Sequence, residues 1–184
     1  MRALSWYNHM NTVRPVITKI ATAGTLFGVG DVVCQKIERT LKGDPNRPFD
    51  FKRNVRFSLF GAFGCGPLFH LHFTKVLPWL VPNVDTKGLL LKVLIDQTAW
   101  ASSFTCYIYF CLSKLEGKSN TEAVNNARNL LWPTLLTNWT VWPAVQLFNF
   151  KLVPIQYQMV VVQIVAIFWN AYISYMQNKP SPTG

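Results

Sequence analysis

Two carboxylates, Asp31 and Asp96, stand inside stretches that are otherwise nearly free of ionised side chains. An acid in such a setting either lines a hydrophilic path and exchanges protons, or is tied into a hydrogen bond or ion pair that fixes helix contacts. Lys92 lies one helical turn before Asp96, so a local pair is available there, and the amide of Gln97 follows directly. Amides gather towards the carboxy terminus. After Gln146 and Asn149, the residues Gln156, Gln163, Asn170 and Gln177 recur at a constant seven-residue interval. That interval is nearly two helical turns, so the four amides form one slowly drifting stripe, with Ala166 and Ser174 on or near it. The stripe is either a pore wall of neutral donors and acceptors or a packing seam, since lipid offers it no partner. Asp31, Asp96, Gln97, Gln146, Asn149, Gln163 and Asn170 are therefore the candidates for a polar interior.

Other reactive side chains lack a constellation. His70 and His72 are two positions apart, hence about 200° apart around a helix, and one helix cannot readily offer both to a metal. Cys34, Cys65, Cys106 and Cys111 show no close paired spacing of a zinc site or redox pair and read as packed thiols. No G-x-S-x-G, Walker loop or H-E-x-x-H motif occurs. The expectation is a protein without catalytic residues, metal or cofactor.

The elements that must position these groups are hydrophobic helices. Half of the 184 residues are hydrophobic and 14% are charged, against about 25% charged in soluble domains. Residues 57–74, 97–113, 129–150 and 152–178 contain no charge. A helix needs about 20 mostly apolar residues to cross the hydrocarbon of a bilayer, and a soluble bundle would need a charged face on every helix. The net charge of +10 arises mostly from residues between the apolar runs, where basic side chains set orientation and meet anionic lipid rather than nucleic acid. The amino terminus lacks the cleavage site of a secretory signal, so the first hydrophobic helix is expected to direct insertion without being removed.

Spans are expected at 15–35, 55–77, 88–112 and 154–176, with a polar loop at 36–56 and a short interfacial amphipathic helix at 120–131. Residues 130–150 contain Pro133 and Pro143 and read as a broken extra span or a re-entrant segment. The fold class is thus all-α, a polytopic transmembrane bundle with four or five membrane segments. One domain covers 1–178, and 179–184 read as a disordered tail. Gly24, Gly28, Gly61, Gly64 and Gly66 supply small-residue packing faces. Pro67 should kink the second span.

Several of these residues carry a resemblance. The run Ala23-Gly24-Thr25-Leu26-Phe27-Gly28-Val29-Gly30-Asp31 is followed by Gly66-Pro67 with His70, and then by Asp96-Gln97. The carboxy-terminal third adds Trp139-Thr140-Val141-Trp142-Pro143-Ala144-Val145-Gln146-Leu147-Phe148-Asn149-Phe150 and Trp169-Asn170-Ala171-Tyr172. Together they resemble the Mpv-seventeen / twenty-two-kilodalton peroxisomal membrane protein family over nearly the whole chain. The stretch Trp132-Pro133-Thr134-Leu135-Leu136-Thr137-Asn138-Trp139 looks most like its yeast member, a stress-inducible mitochondrial inner-membrane protein of ethanol metabolism. The resemblance implies a four-span inner-membrane protein, a channel for small metabolites, and links to stress tolerance and mitochondrial DNA maintenance. A peroxisomal membrane is the alternative site. Two departures stand out: His72-Phe73 where the family commonly has an aromatic pair, and Gln158 where an Arg is common.

Two functions are expected to compete. One is a channel, with small anionic metabolites favoured by the positive loops. The other is a non-conducting scaffold, assembly factor or subunit of an inner-membrane complex, as homo-oligomer or larger assembly. Membrane lipid is the shared partner.

Overall fold

In the computed structural model the described residues are 2–44, 46–83, 85–153 and 155–179. For residues 2–4, Leu89, Leu147, Asn149, Phe150 and 155–160 the backbone alone is described. The expected tail at 179–184 falls outside this set except for Lys179. All regular elements among the described residues are helices, in agreement with the all-α class.

The chain opens with α1 (Arg2–Val13), an element that the sequence did not announce, and turns at Arg14 into α2 (Pro15–Leu41). Pro15 occupies the first turn of α2, where its missing N–H costs nothing. The Thr18 hydroxyl donates to the carbonyl of Met10 at 2.9 Å, which ties α1 back onto α2. α2 continues past Gln35, the expected end, and so carries Glu38 and Arg39 into the helix. It closes at Gly43, whose φ of +63° suits a residue without a Cβ.

Residues 51–80 form one helical rod with two wide turns. It comprises α3 (Phe51–Leu59), a π segment at Phe60–Cys65, α4 (Gly66–Leu71), a π segment at His72–Val76, and α5 (Leu77–Leu80). Asp50 caps the rod by accepting the Arg53 N–H at 2.9 Å. Pro67 falls just after the first π segment, so the disturbance expected of it takes the form of that wider turn. The next rod, 86–115, has the same build: α6 (Thr86–Ile95), a π segment at Asp96–Trp100 and α7 (Ala101–Leu115), ended by Gly117 at φ +85°.

The greatest departure from expectation is α8 (Asn120–Leu152). The amphipathic piece at 120–131 and the proline-bearing piece at 130–150 are one uninterrupted helix rather than two separate or broken pieces. Ser119 and Glu122 exchange hydrogen bonds at its start, the Ser119 N–H to the Glu122 carboxylate at 2.8 Å and the Glu122 N–H to the Ser119 hydroxyl at 3.2 Å. This reciprocal cap satisfies two orphan donors, and hydrogen bonds with Ser119 hold the Glu122 carboxyl below its ordinary pKa. The chain ends in α9 (Ile155–Asn178).

Among the described residues α2 is the one continuous α-helix long and apolar enough to cross a membrane. The 51–80 and 86–115 rods are divided by their π segments into shorter α pieces, although each rod reaches roughly 45 Å at 1.5 Å per residue. α2 packs against α9 on one side and the 51–80 rod on the other; α8 joins α9 to α7, and α7 returns to α3. Phe27, Phe57, Phe60, Cys65, Ile108, Tyr109, Leu112, Ala127 and Ile173 fill the centre.

Within that core the fully buried Tyr109 hydroxyl meets the fully buried Thr134 hydroxyl at 2.8 Å, tying α7 to α8. Tyr109→Phe should therefore lower stability by about 1 kcal/mol, the value of a hydrogen bond whose loss strands a buried partner. Thermal melting in one detergent checks this, and an unchanged midpoint would remove the pair from the list of stabilising contacts.

Candidate functional site

A buried ionic cluster joins α2, α3 and α9. Helical spacing puts Asp31, Cys34, Gln35 and Glu38 on one face of α2. Arg53, in the first turn of α3, points its guanidinium at that face. Its Nε donates to Asp31 Oδ1 at 2.7 Å and its Nη1 to Glu38 Oε2 at 3.0 Å. Its Nη2 reaches Ser174 Oγ of α9 at 2.8 Å and Cys34 Sγ at 3.1 Å. Asp31 is wholly buried and Arg53 only 4% exposed. Every oxygen of Asp31 is satisfied: Oδ1 by Arg53 and the Ser174 hydroxyl, Oδ2 by Gln35 Nε2 at 2.8 Å and Asn54 Nδ2 at 3.2 Å. A buried charge without such partners would cost several kcal/mol.

The Gln35 side chain also pins the loop that precedes α3. Its Oε1 accepts the Asp50 N–H at 2.8 Å and its Nε2 donates to the Asp50 carbonyl at 3.1 Å. Nearby, Gln177 links α9 to the ends of α7 and α8 through Asn126, Ser113 and Glu116.

A second cluster lies at the far end of the 51–80 rod, roughly 28 Å from Arg53 by helical rise. His72 Nε2 and Asp96 Oδ1 are 3.1 Å apart. The imidazole stacks on Trp100, with ring centroids 3.7 Å apart and planes 10° from parallel. Gln97 donates to Asp96 Oδ2 at 3.2 Å and accepts from Asn138 of α8 at 3.3 Å, and Trp139 Nε1 donates to its carbonyl at 2.9 Å. Both ionisable members open π segments, and such bulges often re-aim side chains at functional positions. His70 turns elsewhere, with Nδ1 at 3.4 Å from Lys19 Nζ.

The expected polar-interior residues thus separate. Asp31 sits in the first cluster, Asp96 and Gln97 in the second. Asp96 takes His72 as its ion-pair partner; the local Lys92 pair expected from spacing does not form among the described contacts. Asn170 is buried on α9 against Gly30 of α2. Gln163 and Gln146 are half-buried. The side chains of Asn149 and Gln156 lie outside those described. Gly24, Gly28, Gly61 and Gly66 line the seam between α2 and the 51–80 rod, whereas Gly64 faces Tyr107 of α7. Sequence reasoning missed Arg53 and Glu38, and placed Ser174 only on or near the amide stripe of α9. The signal was available in part: extending the α2 periodicity by one turn places Glu38 on the Asp31 face.

No group of three or more His, Cys, Asp or Glu side chains among the described residues could hold a metal ion.

Comparison with known proteins gives this site a family. The chain is 36% identical over 183 residues to Protein SYM1 of Saccharomyces cerevisiae, covering 97% of this chain and 92% of that one. It is 34% identical over 175 residues to the mitochondrial inner membrane protein Mpv17 of Xenopus laevis, covering 94% and 96%. It is 31% identical over 174 residues to peroxisomal membrane protein 2 of Bos taurus, covering 94% and 88%. No solved structure matches. These relatives agree with the expected setting, the mitochondrial inner membrane with the peroxisomal membrane as alternative. The profile of the Mpv17 / PMP22 family matches residues 113–174, from the end of α7 to the Ser174 that closes the ionic cluster, and with relatives of this identity along almost its full length the chain belongs to that family.

Proposed function

We propose that the chain is a channel-like, non-enzymatic protein of the mitochondrial inner membrane that passes small metabolites or ions. The observation that carries this reading is the pair of polar clusters inside an apolar bundle, near opposite ends of one rod. Intramembrane charges are costly and mark ion or solute paths by default. Asp31, Arg53 and Glu38 would close one mouth and His72 and Asp96 the other. The membrane reading takes α2, the 51–80 rod, the 86–115 rod and α9 as spans, with α8 as a fifth where its 130–152 part crosses. A part in stress tolerance, ethanol metabolism and mitochondrial DNA maintenance would follow from altered solute permeability, and the family likeness supports that part.

Bilayer recording on the purified, reconstituted chain tests the proposal. Voltage-dependent conductance is expected, and Asp96→Asn should change its ion selectivity or gating by severing the contact to His72. An unchanged single-channel record for Asp96→Asn would take that cluster out of the path; silence of the wild type at all voltages would remove the channel reading. The mutual pairing of the described cluster residues favours a second reading, a non-conducting scaffold or complex subunit. A large native complex in mild detergent, together with that silence, would select it.

A further inference from the structure

Beside the ionic cluster a small cleft opens between the end of α2 and the loop leading into α3. Its polar walls are Gln35, Glu38, Arg39, Arg47, Asp50 and Arg53. Most of these groups are already committed. Arg53 is bound to Asp31, Glu38, Cys34 and Ser174. Glu38 Oε2 is held by Arg53, and its Oε1 by Arg53 and the Cys34 thiol. Gln35 is consumed by Asp31 and the Asp50 backbone, and the Asp50 carboxylate caps α3.

Two guanidiniums remain. Neither Arg39 nor Arg47 lies within ion-pair distance of a carboxylate among the described residues. Arg39 Nη2 is buried and has no hydrogen-bond partner among the described residues. Leaving such a donor unpaired costs about 1–3 kcal/mol, so its position calls for an acceptor. The guanidinium lies against the Phe49 ring, its carbon 5.9 Å from the ring centroid. The helix dipoles do not oppose an anion, because the negative end of α2 is met there by the positive end of α3. Two planar forks flanking one cleft suit a tetrahedral oxyanion, which can take a bidentate contact from each. α2 is roughly 40 Å long by helical rise. That exceeds the ~30 Å of hydrocarbon, so with α2 as a span its end would reach the level of lipid phosphates.

We propose that this cleft binds a phosphate group through Arg39 and Arg47, as the headgroup of an anionic lipid or as a soluble phosphate ester. This rests on the cleft and, for a lipid headgroup, on α2 as a membrane span; it is independent of conduction. The test uses the full chain in mild detergent, with phosphatidic acid, phosphatidylcholine and inorganic phosphate as probes, read by native mass spectrometry and by thermal shift. Phosphatidic acid should be retained and raise the melting midpoint, and phosphatidylcholine should not. Displacement by millimolar inorganic phosphate would point to a soluble ester, and resistance to it to a lipid headgroup. Arg39→Gln with Arg47→Gln should weaken phosphatidic acid at least tenfold, while Lys36→Gln with Lys42→Gln, on exposed neighbours, should change it less than twofold. If the glutamine pair does not fold, Arg39→Lys with Arg47→Lys keeps the charge and removes the forks, and severalfold weakening is expected. Equal affinity of wild type and the Arg39/Arg47 variant, or no retention of either phosphatidic acid or inorganic phosphate by the wild type, would overturn the proposal.

Discussion

Arg53→Ala is expected to be the most destabilising single substitution in the chain. Asp31 has no exposed surface and Glu38 little, so removing the cation leaves two carboxylates on one face of α2, about two turns apart, without their shared counter-charge. Breaking a buried pair by deleting one partner typically costs about 3–5 kcal/mol, because the survivor keeps its desolvation penalty without compensation. Here the loss extends further. Arg53 also anchors Ser174, and that contact holds α9 to α3. For a chain of this size the cost corresponds to a fall of roughly 10 °C in the melting midpoint. Arg53→Lys should recover only part of it, since one ammonium cannot reproduce the fork that reaches Asp31, Glu38 and Ser174 together. Arg53→Met with Asp31→Asn should recover more than Arg53→Ala, because no carboxylate is then stranded at the fully buried position. Melting of the three variants in one detergent checks the ordering. An Arg53→Ala protein that melts within about 2 °C of wild type would show that the cluster contributes little.

What the sequence revealed of this cluster follows from the range over which its signals act. Asp31 was recognisable as an acid in an apolar run, and its face on α2 was recoverable from spacing. Arg53 was not distinguishable from Lys52 or Arg56, since all three sit in one basic stretch and pairing across the intervening loop leaves no local mark. The same limit hid the His72–Asp96 contact. A π segment shifts the register of everything after it, so 3.6-residue periodicity carried through 60–65 or 96–100 points side chains at the wrong neighbour. The small-residue faces were legible, but which helix fills them was not: Gly30 accommodates α9 and Gly61 accommodates α2. Pro133 and Pro143 argued for a break in α8, yet the helix runs on through both, packed along α7. The family resemblance rested on residues that recur in these clusters and seams, which is why it extended to nearly the full chain while their pairings stayed hidden.

Gly61→Leu is expected to rival the loss of Arg53 by a different route. A Cβ at Gly61 would lie 2.6 Å from Phe27 Cβ and 2.7 Å from the Ala23 carbonyl oxygen. The first is the root of a side chain and the second is backbone, so neither can swing away, and α2 itself must retreat from the 51–80 rod. Overpacking a well-filled core costs about 1–3 kcal/mol, and even Gly61→Ala should reach that range. A leucine adds three further carbons to a seam that already has no room for one. Gly24→Ala is the milder comparison, because its Cβ would meet Ala62 Cβ at 3.0 Å and the Ser58 carbonyl at 3.2 Å. The displacement of α2 has a second consequence. Asp31 lies on that helix and Arg53 on the rod it would leave, so their 2.7 Å contact cannot survive a shift of an ångström or more. Packing and electrostatics are therefore coupled. Gly61→Leu combined with Arg53→Ala should cost less than the sum of the two single substitutions, since the first already opens what the second removes. A double variant whose melting midpoint falls by the full sum would show that the glycine seam and the ionic cluster are held independently.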